Sequence, residues 1–211
     1  MAIDAAVLAE WSRRHDGYDP TRSLALRTWL SLVHALARPL ARRRIPPDAV
    51  TVASVVAAAA AARAPRSAAV GLVGVSVVLD GVDGAVALQS GRSTRWGTAV
   101  DHLGDRVSDS MLAVALRRAG GSRSWCVAAA VSSAVFEGVR EVLRMREGAP
   151  VSDLTFGDRP ARVAAGIVGL AVAPTGGAVA ITALSSAGVV QLLRATPTAG
   201  DHAHLRRKSH L

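Results

Sequence analysis

The sequence predicts an all-α fold, a polytopic membrane protein of six transmembrane helices preceded by an interfacial amphipathic helix. Three observations predict it. Half of the 211 residues are apolar, a content that an Ala-rich soluble bundle would share. Aromatic residues make up only 3% of the chain while glycine contributes 19 residues. Small residues let helix backbones approach closely where lipid removes the hydrophobic drive for association. Finally, the apolar residues gather into six segments, at about 49–62, 67–89, 96–116, 125–142, 161–173 and 176–193, with most of the arginines between them.

Residues 1–44 form an N-terminal cytoplasmic segment. It starts polar and mixed in charge, without the charged-then-apolar run of a cleavable signal peptide, and Gly17, Asp19 and Pro20 mark a turn. From 23 to 40, Leu26, Trp29, Leu30, Val33, Leu36, Ala37 and Leu40 recur at helical spacing, with Arg27, Ser31, His34 and Arg38 between them. Trp on the apolar side and Arg on the other suit the membrane interface. Arg42, Arg43 and Arg44 follow, and Pro47 with Asp48 opens the first apolar segment, Asp48 being the expected cap.

The six-helix membrane domain spans 45–195. Several segments fall short of the ~20 residues that a spanning helix prefers, so Arg63 and Arg162 are expected to snorkel. Six spans leave both ends on one side. The outer connections carry Arg63, Arg66, Arg117, Arg118 and Arg123, against a larger basic count on the other side that includes Arg92, Arg95, Arg140, Arg144, Arg146, Arg159 and Arg162. That asymmetry puts both termini in the cytoplasm, with a basic cytoplasmic tail at 196–211.

The net charge of +9 admits nucleic acid, an anionic membrane surface or phosphorylated substrates as partners. Arginines between apolar segments, with no aromatic interleaving to stack bases, exclude nucleic acid. A single cysteine, Cys126, excludes an internal disulfide.

The chemistry lies between Asp80 and Asp105. Asp80 and Asp83 are three residues apart, and Asp101, Asp105 and Asp109 recur every four, so each set shares a helical face. The loop from Ser90 to Arg95 is short enough to bring the two faces opposite each other. Carboxylates in an apolar setting are costly unless paired or metal-bound. Mg²⁺ or Mn²⁺ suits an all-oxygen set, and two such ions can clamp a phosphoryl group. A cation or proton pathway is the alternative, since relays also need intramembrane acids. Gly81, Gly84 and Gly97 would let a ligand reach the backbone or simply let helices pack. His102 points elsewhere on its helix.

These residues carry a resemblance. Asp80, Asp83, Gly84, Ala87, Gly97, Asp101 and Asp105 are similar in type and spacing to the signature of the CDP-alcohol phosphatidyltransferases. Ile45 to Thr51 resembles that family's Pro-Asn-x-x-Thr opening, and Gly157 to Val163 its Gly-x-Arg-Pro-x-Arg stretch. The resemblance implies a six-helix, dimeric membrane enzyme of phospholipid synthesis, with its active site cytoplasmic at the cell (plasma) membrane. Such an enzyme moves a phosphoalcohol group, for instance phosphatidyl, from a CDP-alcohol or CDP-lipid such as CDP-diacylglycerol to an acceptor hydroxyl and releases CMP. It implies Asp80, Asp83, Asp101 and Asp105 as ligands of two Mg²⁺ or Mn²⁺ ions, Asp105 as general base, and Gly84, Ala87 and Gly97 as the nucleotide's lining. Leu88 stands where the signature has Arg. Arg92 or Arg95 is then the candidate substitute, and a catalytically silent member with a structural or regulatory membrane role is the alternative.

For the acceptor, a polar and possibly phosphorylated alcohol, Arg140, Arg144, Arg159 and Arg162 are candidate phosphate ligands. They are equally read as positive-inside contacts with lipid headgroups. Glu137 and Glu141 lie at helical spacing to pair with Arg140 and Arg144.

Overall fold

A computed structural model describes residues 8, 9, 12, 19–92, 94–145 and 155–195, and the expected basic tail and most of the polar start lie outside them. Among the described residues there are seven α-helices and no strand: α1 (Leu24–Arg42), α2 (Pro47–Ala61), α3 (Arg66–Ser90), α4 (Arg95–Arg118), α5 (Arg123–Met145), α6 (Arg159–Ala171) and α7 (Pro174–Ala195). The chain divides into two compact units, Met1–Ala115 and Leu116–Leu211.

In the first unit, Ser23 starts α1 by accepting a hydrogen bond from the Leu26 amide at 3.3 Å. Leu30, Val33 and Ala37 are buried, and Val33 and Ala37 pack with Val50, Val82, Ala85 and Val86 of α2 and α3. Leu36, expected on the same apolar side, is exposed. His34, expected among the polar positions, is buried instead, because Gln89 donates to its Nδ1 at 3.0 Å and to its carbonyl at 3.1 Å.

Asp48 is not the cap of α2. Pro46 holds that position with no side-chain bond, Pro47 is the first helical residue, and Asp48 sits in the first turn. Proline's fixed φ and missing amide start a helix unaided, which moves the boundary back from the acid.

The end of α3 sets up the site. Gly91, at φ 64°, closes the helix with the Arg92 amide donating to the Ala87 carbonyl at 3.1 Å and its own amide to Leu88 at 3.4 Å. This left-handed cap reverses the chain within a few residues, so that α4 starts at Arg95. Two glycines bring helices close. A Cβ at Gly81 would lie 2.7 Å from Trp29 of α1, and one at Gly104 of α4 would lie 3.0 Å from the Thr51 methyl of α2.

In the second unit α7 packs on both α5 and α6. Gly169 and Gly177 let α6 and α7 meet backbone to backbone, since a Cβ on Gly169 would stand 2.5 Å from the Gly177 Cα. Phe136, Leu143 and Leu192 form the buried apolar cluster between α5 and α7.

Of the helices expected to span a membrane, α3 and α7 are long and apolar enough to do so. With 15 and 13 residues, α2 and α6 reach only about 20 Å at 1.5 Å per residue, short of a ~30 Å hydrocarbon layer. In α4 and α5 the limit is charge, because Asp101, Asp105, Arg106 and Asp109 interrupt one and Glu137, Arg140, Glu141 and Arg144 the other.

Candidate metal centre

Asp80 comes from α3, one turn before its last core residues, and Asp101 and Asp105 come from successive turns of α4. All three are half-buried, and one carboxylate oxygen of each lies within 4.8 Å of the others. Like charges at that separation repel unless a cation lies among them. Opposite oxygens around a Mg²⁺ or Mn²⁺-sized ion with metal–oxygen distances of about 2.1 Å are about 4.2 Å apart, so the three residues fit a hard divalent cation with little movement. The donor set is all carboxylate, without the thiolate or imidazole that would favour softer metals.

Asp83 stands apart from this group. It is buried, and both of its oxygens are occupied: Oδ2 by the Thr51 hydroxyl at 2.6 Å and Oδ1 by the Gly84 amide at 2.6 Å. Thr51 therefore ties the start of α2 to the acidic helix, a role for which only its place in the Ile45-to-Thr51 stretch gave a signal. Asp109 is also outside the group of three.

The expected nucleotide-lining residues differ in their surroundings. Gly84 is exposed, and a Cβ there would meet nothing within 4 Å, so packing does not require glycine at this point. Gly97 would bring a Cβ to 3.3 Å from the Thr94 hydroxyl and 3.5 Å from the Asp48 carboxylate. Ala87 and Leu88 are half-buried, and the exposed Arg92 donates to the Arg44 carbonyl at 3.3 Å. The side chain of Arg95 lies outside the described residues.

In the second unit two of the four arginines expected at the acceptor, Arg140 and Arg162, are engaged by acids. Arg140 pairs with Asp158 and reaches the Thr155 hydroxyl at 3.3 Å. Glu137, placed by spacing beside Arg140, reaches from α5 to Arg162 of α6 at 2.9 Å. Arg144 is exposed and Arg159 half-buried. Phe136 was not foreseen as a centre, yet the guanidinium groups of Arg140 and Arg162 lie 4.9 and 5.3 Å from its ring centroid. An aromatic in an Ala-rich segment gave no signal of it.

Three carboxylates gathered from two successive helices form a set that could hold a hard divalent cation. The comparison with known proteins is more specific. Residues 45–193 match the CDP-alcohol phosphatidyltransferase family, and the chain belongs to it.

Among solved structures, it is similar to Mycobacterium tuberculosis phosphatidylinositol phosphate synthase in complex with manganese and citrate. That match has a TM-score of 0.66 and 25% identity, and covers 79% of this chain and 91% of that one. The same enzyme with CDP-DAG bound matches at TM-score 0.64 and 25% identity, covering 80% and 96%. Its apo form matches at 0.55 and 28%, covering 76% and 94%. No curated protein matches significantly.

Proposed function

We propose that this protein transfers a phosphatidyl group from a CDP-lipid, such as CDP-diacylglycerol, to the hydroxyl of a polar alcohol and releases CMP, a step of phospholipid synthesis. The observation that carries the reading is the convergence of Asp80, Asp101 and Asp105. Membership of the family and the CDP-DAG held by a similar structure support the donor, and the manganese of another supports the metal.

Asp80, Asp101 and Asp105 would hold Mg²⁺ or Mn²⁺, with Asp83 completing the four acids of the signature, and two such ions, when bound, would supply positive charge to the transferring phosphoryl group. Asp105 accepts the proton of the acceptor hydroxyl. The freed alkoxide forms a bond to the phosphatidyl phosphorus as the bond from that phosphorus to the CMP oxygen breaks. Gly84, Ala87 and Gly97 line the nucleotide, and the open space at Gly84 suits close approach to its backbone. Arg92 or Arg95 supplies the charge that Leu88 cannot.

The setting we infer is a six-span homodimer in the cell membrane, with both termini and the acids cytoplasmic. Apolar α3 and α7 support the spans. The test is CMP release by purified protein in liposomes with CDP-diacylglycerol, Mn²⁺ or Mg²⁺ and a panel of alcohols. Asp105→Asn should abolish it, and turnover that persists in that variant would overturn the assignment of the base. Leu88 favours a second reading, a silent member kept for a structural or regulatory role. Robust wild-type turnover ends that reading.

A further inference from the structure

The apolar side of α1 that spacing predicts, with Trp29, Leu30, Val33 and Ala37, is taken up by the protein itself. Val33 and Ala37 pack with Val82, Ala85 and Val86, and a Cβ at Gly81 would come within 2.7 Å of Trp29 and 2.9 Å of Val33. Gln89 adds its two bonds to His34. Helix α1 therefore backs α3 from Gly81 to Gln89, the stretch that carries Asp83, Gly84 and Ala87 of the signature.

A second apolar strip of α1 remains outside. Leu24, Leu32 and Leu36 are 77%, 45% and 42% exposed, and with exposed Thr28 they recur every four residues, on successive turns. The strip runs about 18 Å at 1.5 Å per residue. The Thr28 hydroxyl donates to the Leu24 carbonyl at 2.8 Å, so the polar group within the strip is satisfied without water.

Arginines border this strip. Arg27, Arg38 and Arg42 are exposed and share a neighbouring face, Arg38 following Arg27 by three turns and Arg42 following by one more. Arg43 and Arg44 continue the charge past the helix end, and no acid occurs between Pro20 and Pro47. A second copy meeting the same face would set one basic border against another, which repels. An anionic lipid surface satisfies both halves, acyl chains taking the leucines and headgroup phosphates the arginines. Such a surface is also close by, because α1 packs on α3, a helix long and apolar enough to cross a membrane.

We infer that the strip of Leu24, Thr28, Leu32 and Leu36 docks α1 onto an anionic lipid surface, and that this seating holds the signature stretch of α3 ready for the donor. The second part rests on the transferase reading above. Its sign is distinctive. A CDP-lipid is itself anionic, so anionic lipid acting only as a competitor for basic groups would raise the donor's KM, whereas docking of α1 lowers it.

The docking is tested without turnover. Full-length protein carrying Cys126→Ala and Leu32→Cys is labelled with a fluorophore at position 32 and placed in nanodiscs. Lipids with a quencher in the acyl region should quench the label, and iodide in the water should not. Adding about 30% phosphatidylglycerol to phosphatidylcholine should raise the lipid quenching about twofold or more. Arg27→Gln combined with Arg38→Gln should remove that rise, since each basic residue near an anionic surface contributes roughly fivefold in binding, about 1 kcal/mol. Free quenching by iodide overturns the docking. Shielding from both quenchers places a protein on the strip, a second copy included, and overturns it equally. Lipid quenching that ignores phosphatidylglycerol overturns the anionic preference.

The link to the donor is read from CMP release over the same change of lipid. The wild-type KM for CDP-diacylglycerol should fall about fivefold, and that of the double arginine variant should stay level. A wild-type KM that rises or stays level overturns the link while leaving the transferase reading intact. No release with any alcohol defeats the transferase reading, and the quenching together with the calorimetric Kd for the CDP-lipid then decides the inference.

Discussion

The Thr51 hydroxyl donates a 2.6 Å hydrogen bond to Asp83 Oδ2 across the α2–α3 interface, in a buried environment. The same side chain turns its methyl toward Gly104 on α4, where a Cβ would come within 3.0 Å. One residue of the first apolar helix thus touches both helices that carry the acids. Groups that orient metal-binding carboxylates typically contribute 10–100-fold in metal affinity or activity. Thr51→Val, equal in shape but without a donor, should lose about that much in the Mn²⁺ dependence of CMP release. Thr51→Ser, which keeps the hydroxyl, should stay within a few-fold of wild type. Equal behaviour of the two variants would reduce Thr51 to a packing residue.

Metal binding should be visible in stability as well as in turnover. With Mn²⁺ at a hundred times its Kd, the wild type gains about 2.7 kcal/mol by linkage, and Asp101→Asn, which lacks one of the three carboxylates within 4.8 Å of one another, gains less. The rise in melting temperature on adding metal should therefore be larger for wild type than for the variant. Chelation should abolish CMP release, and Mn²⁺ or Mg²⁺ should restore it.

Gly81 and Gly84 lie one turn apart on α3 and make opposite demands. Alanine at either position gains about 1 kcal/mol in helix propensity. At Gly81 the new methyl collides with Trp29 at 2.7 Å and Val33 at 2.9 Å, an overpacking that costs about 1–3 kcal/mol. At Gly84 it meets open space. Gly84→Ala should accordingly be the more stable protein in denaturation, yet show a raised KM for the CDP-lipid if the nucleotide approaches there.

The helices were legible in the sequence because apolar runs, prolines and glycines punctuate them. Each of the six apolar segments appears within a few residues of its expected place, and Gly91 stops α3 as its conformational freedom suggests. The acids were legible because residues three and four apart on a helix must share a face, and a short loop left only one way to oppose two such faces. Pairing between distant residues was not legible. Thr51 with Asp83, Arg162 with Glu137 and Arg140 with Asp158 are separated by 32, 25 and 18 residues, and local spacing gave no sign of these partners. His34 shows the same limit, since a partner 55 residues away made a polar position part of the interior.

That buried histidine gives a pH dependence. Burial, and then the Arg38 charge nearby, hold the His34 pKa below its usual value. Gln89 can donate to Nδ1 only while the ring is neutral. In the unfolded chain the ring titrates near 6.5. The stability that neutral His34 contributes is present above about 6.5 and is lost as pH falls from there through the lower folded value. Thermal denaturation between about pH 7.5 and 5 should show wild type losing stability relative to His34→Asn, whose side chain offers an acceptor but does not titrate. Parallel curves would place the titrating group elsewhere.

Leu88 is the position at which the chain departs from the family signature, which has Arg there. It lies four residues beyond Gly84 on α3, hence on the same side of the helix, and it is half-buried rather than locked in the core. Arginine there would have a route toward the exposed strip at Gly84, which lines the nucleotide in the proposed function. A hydrogen bond to a charged group contributes about 1.5–3 kcal/mol, or roughly 10–150-fold in binding. Leu88→Arg should lower the KM for the CDP-lipid by at least tenfold if the wild type turns over. If the wild type is silent, the same substitution should bring CMP release into view. Leu88→Met, similar in volume and uncharged, should change neither. Should Leu88→Arg leave donor affinity unchanged while Arg92→Ala or Arg95→Ala removes it, the loop already supplies the charge, and the departure from the family signature is a relocation of one arginine.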